Sequence, residues 1–128
     1  MHRTSNNLKF CAGRDMVNLC QGRSDSKELL DKFADDSVDY VMVDGAHEYE
    51  PVRDDVINWW PKLKKDGVMF GDDVEVTSVL EGMKAGLRDR KMPTYGTNNG
   101  REQTWYCTKN GDNQGLEKLI PGVNVLHE

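Results

Sequence analysis

Two β-rich segments that both end in acidic residues constrain the fold of this chain more than any other feature. The first runs from Val38 to Gly45 and the second from Gly67 to Asp73. Between them, Pro51 to Leu63 places apolar side chains at helical spacing after a proline suited to a first helical turn. A strand, a helix and a second strand in this order predict a βαβ unit with parallel strands.

The acidic residues at the two strand ends form a candidate site. In a parallel α/β sheet the carboxyl ends of neighbouring strands meet in one crevice, where such folds bind ligands. Asp44 follows the first strand, and Asp72 and Asp73 follow the second. Their carboxylates therefore make a small acidic site with the oxygen ligands that a divalent cation prefers. The alternative is that these residues only form turns, where Asp-Gly and Asp-Asp are common.

The remainder of the chain continues the alternation of strands and helices. Residues 24–26 are suited to capping a short helix, Ser78 and Glu81 form a possible capping box before an apolar stripe, and residues 103–109 are typical of a late strand. We predict a single α/β domain over residues 1–128. Its sheet is expected to be mostly parallel, with helices on both faces and a late antiparallel strand, and residues 1–15 to form a weakly structured arm or helix remnant.

Composition excludes several classes of protein. The chain has 128 residues, so one domain is expected, and its mean hydropathy of -0.74 describes a polar protein. It contains neither an apolar run of ~20 residues nor the apolar stretch of a signal peptide. A net charge of -5 disfavours nucleic acid as a partner, and three widely spaced cysteines fit a reduced compartment. We expect a cytoplasmic protein without a membrane or nucleic-acid partner.

Three blocks of the sequence, residues 17–24, 38–49 and 60–73, resemble the class I S-adenosylmethionine-dependent methyltransferases. The chain is most similar to the metal-dependent O-methyltransferases of the macrocin type and, more distantly, of the catechol type. The resemblance covers roughly residues 16–109. It implies a truncated Rossmann-like sheet. In the complete sheet of this family the seventh strand, which comes last in sequence, lies between the fifth and the sixth.

The resemblance also implies roles for the acidic site. Asp44, Asp72 and Asp73 match the positions that hold Mg²⁺ or a similar divalent cation, which would bind and orient the acceptor hydroxyl. His47 matches the position of a general base, work for which an imidazole is suited near neutral pH. A lone histidine beside Glu48 is otherwise typical of a protein surface.

Cofactor contacts are implied for Gly22, Ser24 and Asp44, with Ser24 near the adenine of S-adenosylmethionine. The sequence contains no Gly-x-Gly-x-x-Gly turn, so it resembles the carboxyl-terminal two-thirds of a methyltransferase domain. Loss of the neighbouring strands would leave Val38–Val43 at an open sheet edge, which invites pairing with another chain. We therefore expect a homo-oligomer, or a partner that supplies the missing strands.

The function implied by the resemblance is methyl transfer from S-adenosylmethionine to a hydroxyl of a small-molecule acceptor, assisted by the cation. The short chain leaves open whether it is an active enzyme. One alternative is a non-catalytic binding or oligomerisation module that kept the scaffold. Another is a metal-dependent hydrolase that uses His47 with the three acidic residues, and a third is a piece of a longer methyltransferase.

Overall fold

The computed structural model describes residues 19–89, 94–98, 104–110 and 123–127, which form an α/β structure with one five-stranded sheet. The predicted arm, residues 1–15, lies outside the described residues. The α-helices in these ranges are α1 (Lys27–Leu30), α2 (Tyr49–Trp59) and α3 (Thr77–Asp89). The strands are β1 (Val38–Val43), β2 (Leu63–Gly71), β3 (Thr94–Asn98), β4 (Trp105–Thr108) and β5 (Val123–His127).

The strands lie in the order β1-β2-β4-β3-β5. Strands β1 and β2 are parallel and are joined through α2, which confirms the predicted βαβ unit. The other three pairings, β2 with β4, β4 with β3, and β3 with β5, are antiparallel. The expectation of a mostly parallel sheet is therefore not confirmed, because a parallel pair needs a crossover and the described residues contain one such pair. Strand β4 lies between β2 and β3, whereas β5, the last described strand in sequence, lies at the edge of the sheet beside β3.

Helix α2 begins and ends where its prolines allow. Pro51 lies in the first turn, where the missing amide hydrogen removes no helical hydrogen bond. The α-helix ends at Trp59 and continues as a 3₁₀ turn over Trp60–Lys62, which contains Pro61. Within the described ranges, no helix is both long and apolar enough to cross a membrane.

The hydrophobic core lies between the sheet and the pair α2 and α3. Helix α2 and the 3₁₀ turn contribute Val52, Val56 and Trp60, and α3 contributes Val79, Met83 and Leu87, which recur at helical spacing. The facing side chains of the sheet are Val43, Leu63, Met69, Trp105 and Cys107. Trp105 and Met69 are fully buried in this layer, close to the ends of β1 and β2.

Two glycines let α3 approach α2 closely. A Cβ atom on Gly82 would stand 2.6 Å from the backbone oxygen of Tyr49, and one on Gly86 would stand 2.7 Å from Cβ of Val56. Glycine inside a helix weakens it on propensity alone. Here the close approach of the helices offsets that cost, because it allows the apolar stripes of α2 and α3 to pack together.

The opposite face of the sheet carries a second set of apolar side chains. By strand register Tyr40 lies beside Val68, and Met42 lies beside Phe70, which stacks on Tyr106 with ring centroids 6.3 Å apart. Tyr40 is 70% exposed and Met42 is 54% exposed. Helices on both faces are therefore not confirmed in the described part of the chain, because α3 packs on α2 on one side of the sheet.

Substitution of Gly82 by Ala tests the helix contact. Helix propensity alone would make the Ala variant more stable by up to about 1 kcal/mol. We expect the opposite sign, a loss of about 1–3 kcal/mol, because the new methyl group meets the backbone of Tyr49. Urea unfolding measures the difference, and Glu81→Ala on the exposed side of α3 is the control. A Gly82→Ala protein as stable as the wild type would contradict the packing described here.

Candidate functional site

The acidic residues predicted from the sequence meet at the carboxyl ends of β1 and β2. Val43 pairs with Gly71 in the parallel register, so the residues that follow each strand leave the sheet side by side. Asp44, His47, Asp72 and Asp73 all line one small hollow of about 10 Å³, and Trp105 of β4 also lines it. The structure therefore brings these four side chains together, and their chemical roles stay predictions.

His47 and Asp73 form the best-defined polar contact of this hollow. The His47 Nε2 atom lies 2.9 Å from Oδ2 of Asp73, and their side chains are 61% and 30% exposed. Asp73 has a φ of 63°, in the left-handed region that aspartate tolerates better than most residues. This turn leads into α3, where the Ser78 hydroxyl donates a hydrogen bond to the backbone oxygen of His47. His47 is thus held at both its ring and its backbone.

The expected metal ligands are near one another but do not form a ligand set. Oδ2 of Asp73 is hydrogen-bonded to the ring of His47, and Oδ1 of Asp72 lies 3.5 Å from the hydroxyl of Thr104. No group of three or more His, Cys, Asp or Glu side chains could hold a metal ion anywhere in the described ranges. In this arrangement the donor atoms do not fit a cation, so no step of the chemistry below uses one.

A groove of about 420 Å³ lies along β1 and reaches the hollow. Asp44 and Gly45 line both spaces, so the groove and the hollow adjoin at the carboxyl end of β1. The groove is mostly apolar, with a few polar groups, as is usual for sites that bind small molecules. Its other walls are made by Ser24, Phe33, Val38, Tyr40, Val41, Met42, Val43, Asp55 and Trp59.

Ser24 is fixed in the groove by two side chains of α2. Its hydroxyl donates a hydrogen bond of 2.6 Å to Oδ1 of Asp55, and its backbone oxygen accepts one of 3.1 Å from Nε1 of Trp59. Residues four apart lie on the same face of a helix, so both bonds come from one side of α2. Phe33 packs edge-on against Trp59, with ring centroids 5.2 Å apart. The predicted cofactor residue Ser24 therefore lies in an ordered, partly aromatic wall.

Gly22 is placed differently from the other predicted cofactor residues. It is exposed, it lines neither the groove nor the hollow, and a Cβ added to it would contact nothing within 4 Å. Its φ of 147° is one that residues with a side chain rarely adopt. The backbone turn before Ser24 therefore explains the glycine, and a cofactor contact of Gly22 stays a prediction.

Asp55 is a half-buried carboxylate in a negative environment. Partial burial raises its pKa above the ordinary value, the nearby charges of Asp25 and Asp54 raise it further, and the Ser24 hydrogen bond opposes the shift. Arg23 is bound to Asp25 and Arg53 to Asp54, each at 2.9 Å. Among the residues that the structure describes, no cation forms an ion pair with Asp55.

Sequence reasoning did not find Asp55, Trp59 or Ser78 as site residues. Asp55 and Trp59 lie four residues apart in a segment whose apolar stripe predicts a helix. Only their hydrogen bonds with Ser24 in the folded protein show that they belong to the site. The sequence predicts Ser78 as the cap of helix α3. It instead lies within α3 and binds the backbone of His47, so the predicted capping box is wrong. No pattern in the sequence marks this role, because the contact of Ser78 with His47 forms only in the folded protein.

Comparison with known proteins identifies the family. A family model described as "Methyltransferase domain" matches residues 4–74, more than half of the chain. The chain belongs to this methyltransferase family. It is also 47% identical over 49 residues to "Uncharacterized protein y4gI" of Sinorhizobium fredii (strain NBRC 101917 / NGR234). That match covers 38% of the chain and 5% of the relative. No solved structure matches the chain.

The residues that line the groove lie within the part of the chain that the family model matches, whereas some residues of the hollow lie outside it. A methyltransferase domain in general uses S-adenosylmethionine as its methyl donor. The family match includes Ser24 and extends through β1, α2 and β2, so it also includes Asp44 and His47, which lie between β1 and α2. It ends at residue 74, immediately after Asp72 and Asp73. Both the groove and the hollow are thus built mainly from the matched part of this methyltransferase domain, with Val79 of α3 and Trp105 of β4 as additions to the hollow.

The substitution Asp55→Asn tests the electrostatics of the groove. Because the folded-state pKa of Asp55 is raised, the stability gained by protonation is present at low pH and is lost as pH rises through that pKa. Asparagine keeps an acceptor for Ser24 without a charge. We expect the Asn variant to be at least as stable as the wild type at pH 7, with an advantage that shrinks toward pH ~4. Urea unfolding across this pH range measures it.

The control is Asp31→Asn at the C-cap of α1. The Lys27 ammonium holds the pKa of Asp31 below its usual range, so this variant should lose a little stability at neutral pH instead of gaining it. An advantage of Asp55→Asn that stayed constant from pH 7 to pH 4 would show that the titration of Asp55 is not its cause.

Proposed function

We propose that this chain carries a methyltransferase site in which S-adenosylmethionine occupies the groove and a hydroxyl group of a small-molecule acceptor enters the hollow. One observation supports the proposal most: the His47–Asp73 pair lines a hollow that adjoins a ligand-sized groove at Asp44 and Gly45. The two spaces give the methyl donor and the proton acceptor neighbouring positions, as a direct transfer requires.

The groove suits this cofactor by shape and by charge. Its volume of about 420 Å³ lies within the range common for small-molecule sites. Phe33 and Trp59 offer an apolar wall, and Ser24 offers a hydroxyl beside it. The carboxylates of Asp44 and Asp55 make the groove negative, which favours a ligand that carries a positively charged sulfonium and amino group.

The proposed reaction needs one proton acceptor, which His47 supplies. With a proton on Nε2 donated to Asp73, the Nδ1 atom of His47 is free to accept the proton of the acceptor hydroxyl. The hydroxyl oxygen then forms a bond to the methyl carbon while the carbon–sulfur bond breaks, and the sulfonium becomes a neutral thioether. The charge of Asp73 stabilises the imidazolium that results, and Asp73 also orients the ring.

Assistance by a divalent cation is the part of the hypothesis that the geometry supports least. The resemblance suggests the cation, and Asp44, Asp72 and Asp73 share the hollow, but together they do not form a metal-binding group. Our proposal therefore assigns the deprotonation to His47 with Asp73, and the cation enters as a measurable alternative. Activity that disappears with EDTA and returns with Mg²⁺ would favour the cation-assisted reaction.

Substitution of His47 tests the chemical role of the pair. Calorimetry with S-adenosylmethionine should show binding to the wild type and equal binding to His47→Ala, because His47 lies in the hollow and not in the groove wall. Production of S-adenosylhomocysteine, followed with a panel of phenols, catechols and sugars, should fall by about 10²–10⁴ in His47→Ala. Asp73→Asn, which tolerates the same backbone conformation, should lose activity less severely and shift its pH profile.

The control for binding is a pair of serine variants. Ser24→Ala should weaken the affinity for S-adenosylmethionine, whereas Ser37→Ala, whose hydroxyl binds only the backbone of Ala34 before β1, should not. Absence of binding heat from the wild type at millimolar S-adenosylmethionine would refute the proposed function.

The exposed edge of β1 supports a second candidate function, self-association. In the described part of the chain, β1 pairs with β2 on one side only, and Tyr40 and Met42 are exposed beside the open edge. An antiparallel pair of two β1 strands centred on Val41 would place Tyr40 of each copy opposite Met42 of the other. Asp39 would face Val43 and not another carboxylate, so this register avoids direct like-charge pairs. We propose a two-fold dimer of this kind as the alternative.

Sedimentation equilibrium distinguishes this dimer from a monomer. We expect a concentration-dependent dimer that Met42→Lys weakens, because the substitution would replace the apolar contact of Met42 with Tyr40 of the other copy across the paired strands. Asp66→Asn, which changes the net charge equally at an exposed position of β2, should leave the dimer intact. Because the groove runs along β1, S-adenosylmethionine should shift the wild type toward monomer. A protein that stays monomeric at all concentrations would exclude self-association.

A further inference from the structure

The carboxylate of Asp55 has one oxygen that the proposed methyl transfer does not use. Oδ1 accepts the hydrogen bond of 2.6 Å from Ser24. Oδ2 lies on the side of Gly45, 3.6 Å from where a Cβ of that residue would stand. No residue in the described ranges donates a hydrogen bond to Oδ2. Asp55 and Gly45 both line the groove, so an oxygen on the side of Gly45 lies next to the space that a bound molecule would occupy.

The surroundings of Asp55 make a donor from a ligand favourable. The two nearby arginines are bound to other carboxylates, Arg23 to Asp25 and Arg53 to Asp54. Asp55 is half-buried, and this desolvation raises its pKa. A carboxylate with reduced hydration gains more from a new hydrogen bond than one that is fully solvated.

The side chains next to Asp55 limit what kind of donor fits. Trp59 lies one helical turn further along α2, and Phe33 meets its ring edge-on. These two rings and the hydrophobic side chains of β1 form an apolar wall. A planar ring system that carries an amino group satisfies both features, because its faces contact apolar groups while its amino hydrogens point to an acceptor.

We infer that Asp55 determines the specificity of the groove for an amino-substituted base, with Oδ2 accepting a hydrogen bond from the exocyclic amino group. In the proposed function this base is the adenine of S-adenosylmethionine, so the inference rests on that function and adds a recognition residue to it. Ser24 is then the partner that holds the Asp55 carboxylate in place. Discrimination arises because a base with a carbonyl at the same position would place its oxygen opposite Oδ2 of Asp55, and neither atom could donate a hydrogen bond.

Calorimetry with adenosine and inosine tests this assignment, since inosine carries a carbonyl oxygen where adenosine carries the amino group. We expect the wild type to bind adenosine about tenfold or more tightly than inosine, the size of effect that a hydrogen bond to a charged group gives. Asp55→Ala should bind the two nucleosides equally, through loss of affinity for adenosine. Asp54→Asn removes a charge from the same helix and should keep the preference.

Asp55→Asn gives a second measurement that does not depend on removal of the side chain. When its amide oxygen keeps the hydrogen bond from Ser24, its amide nitrogen faces the ligand, so the preference for adenosine should fall or reverse. Retention of the full preference in both Asp55 variants would overturn the inference, as would equal binding of adenosine and inosine by the wild type. If the wild type still binds S-adenosylmethionine in that case, the proposed function stands without this role for Asp55. If neither S-adenosylmethionine nor adenosine binds, both fail.

Discussion

The parallel pairing of β1 with β2 is the interaction on which the rest of the site depends. Pairing of Val43 with Gly71 ends both strands at the same level, so Asp44 leaves the sheet beside Asp72 and Asp73. The fully buried Trp105 and Met69 hold this level from the helix side of the sheet. A one-residue slip of β2 would turn its buried side chains to the other face. The register that satisfies the core is therefore also the register that assembles the hollow.

Helix α2 connects the fold to both halves of the site. Its apolar side packs against β1 and, through Gly82 and Gly86, against α3. Its groove side holds Ser24 by the side chains of Asp55 and Trp59. Helix α3 in turn binds the backbone of His47 through Ser78. The core of the protein and the polar contacts of the site therefore share the same two helices, so a shift between them would move the groove and the hollow together.

The two candidate functions compete for the same surface. A ligand in the groove and a second copy paired at the edge of β1 would both occupy the space beside Tyr40 and Met42. The apolar face favours association, because burial of exposed aromatic and aliphatic side chains is stabilising. The carboxylates at the Asp44 end favour a positively charged small molecule. Family membership supports the binding of a ligand in the groove, and the exposed edge of β1 supports self-association.

The sequence by itself determined the βαβ unit and the convergence of Asp44, Asp72 and Asp73, because apolar periodicity and the directions of parallel strands are local or nearly local properties. It did not determine the proportion of antiparallel pairs, which depends on where late strands insert in the sheet. Nor did it reveal the partners of Ser24 and His47, since hydrogen bonds such as Ser24 to Asp55 join residues 31 positions apart. Those contacts exist only once tertiary packing has brought α2 and α3 to the carboxyl ends of the strands.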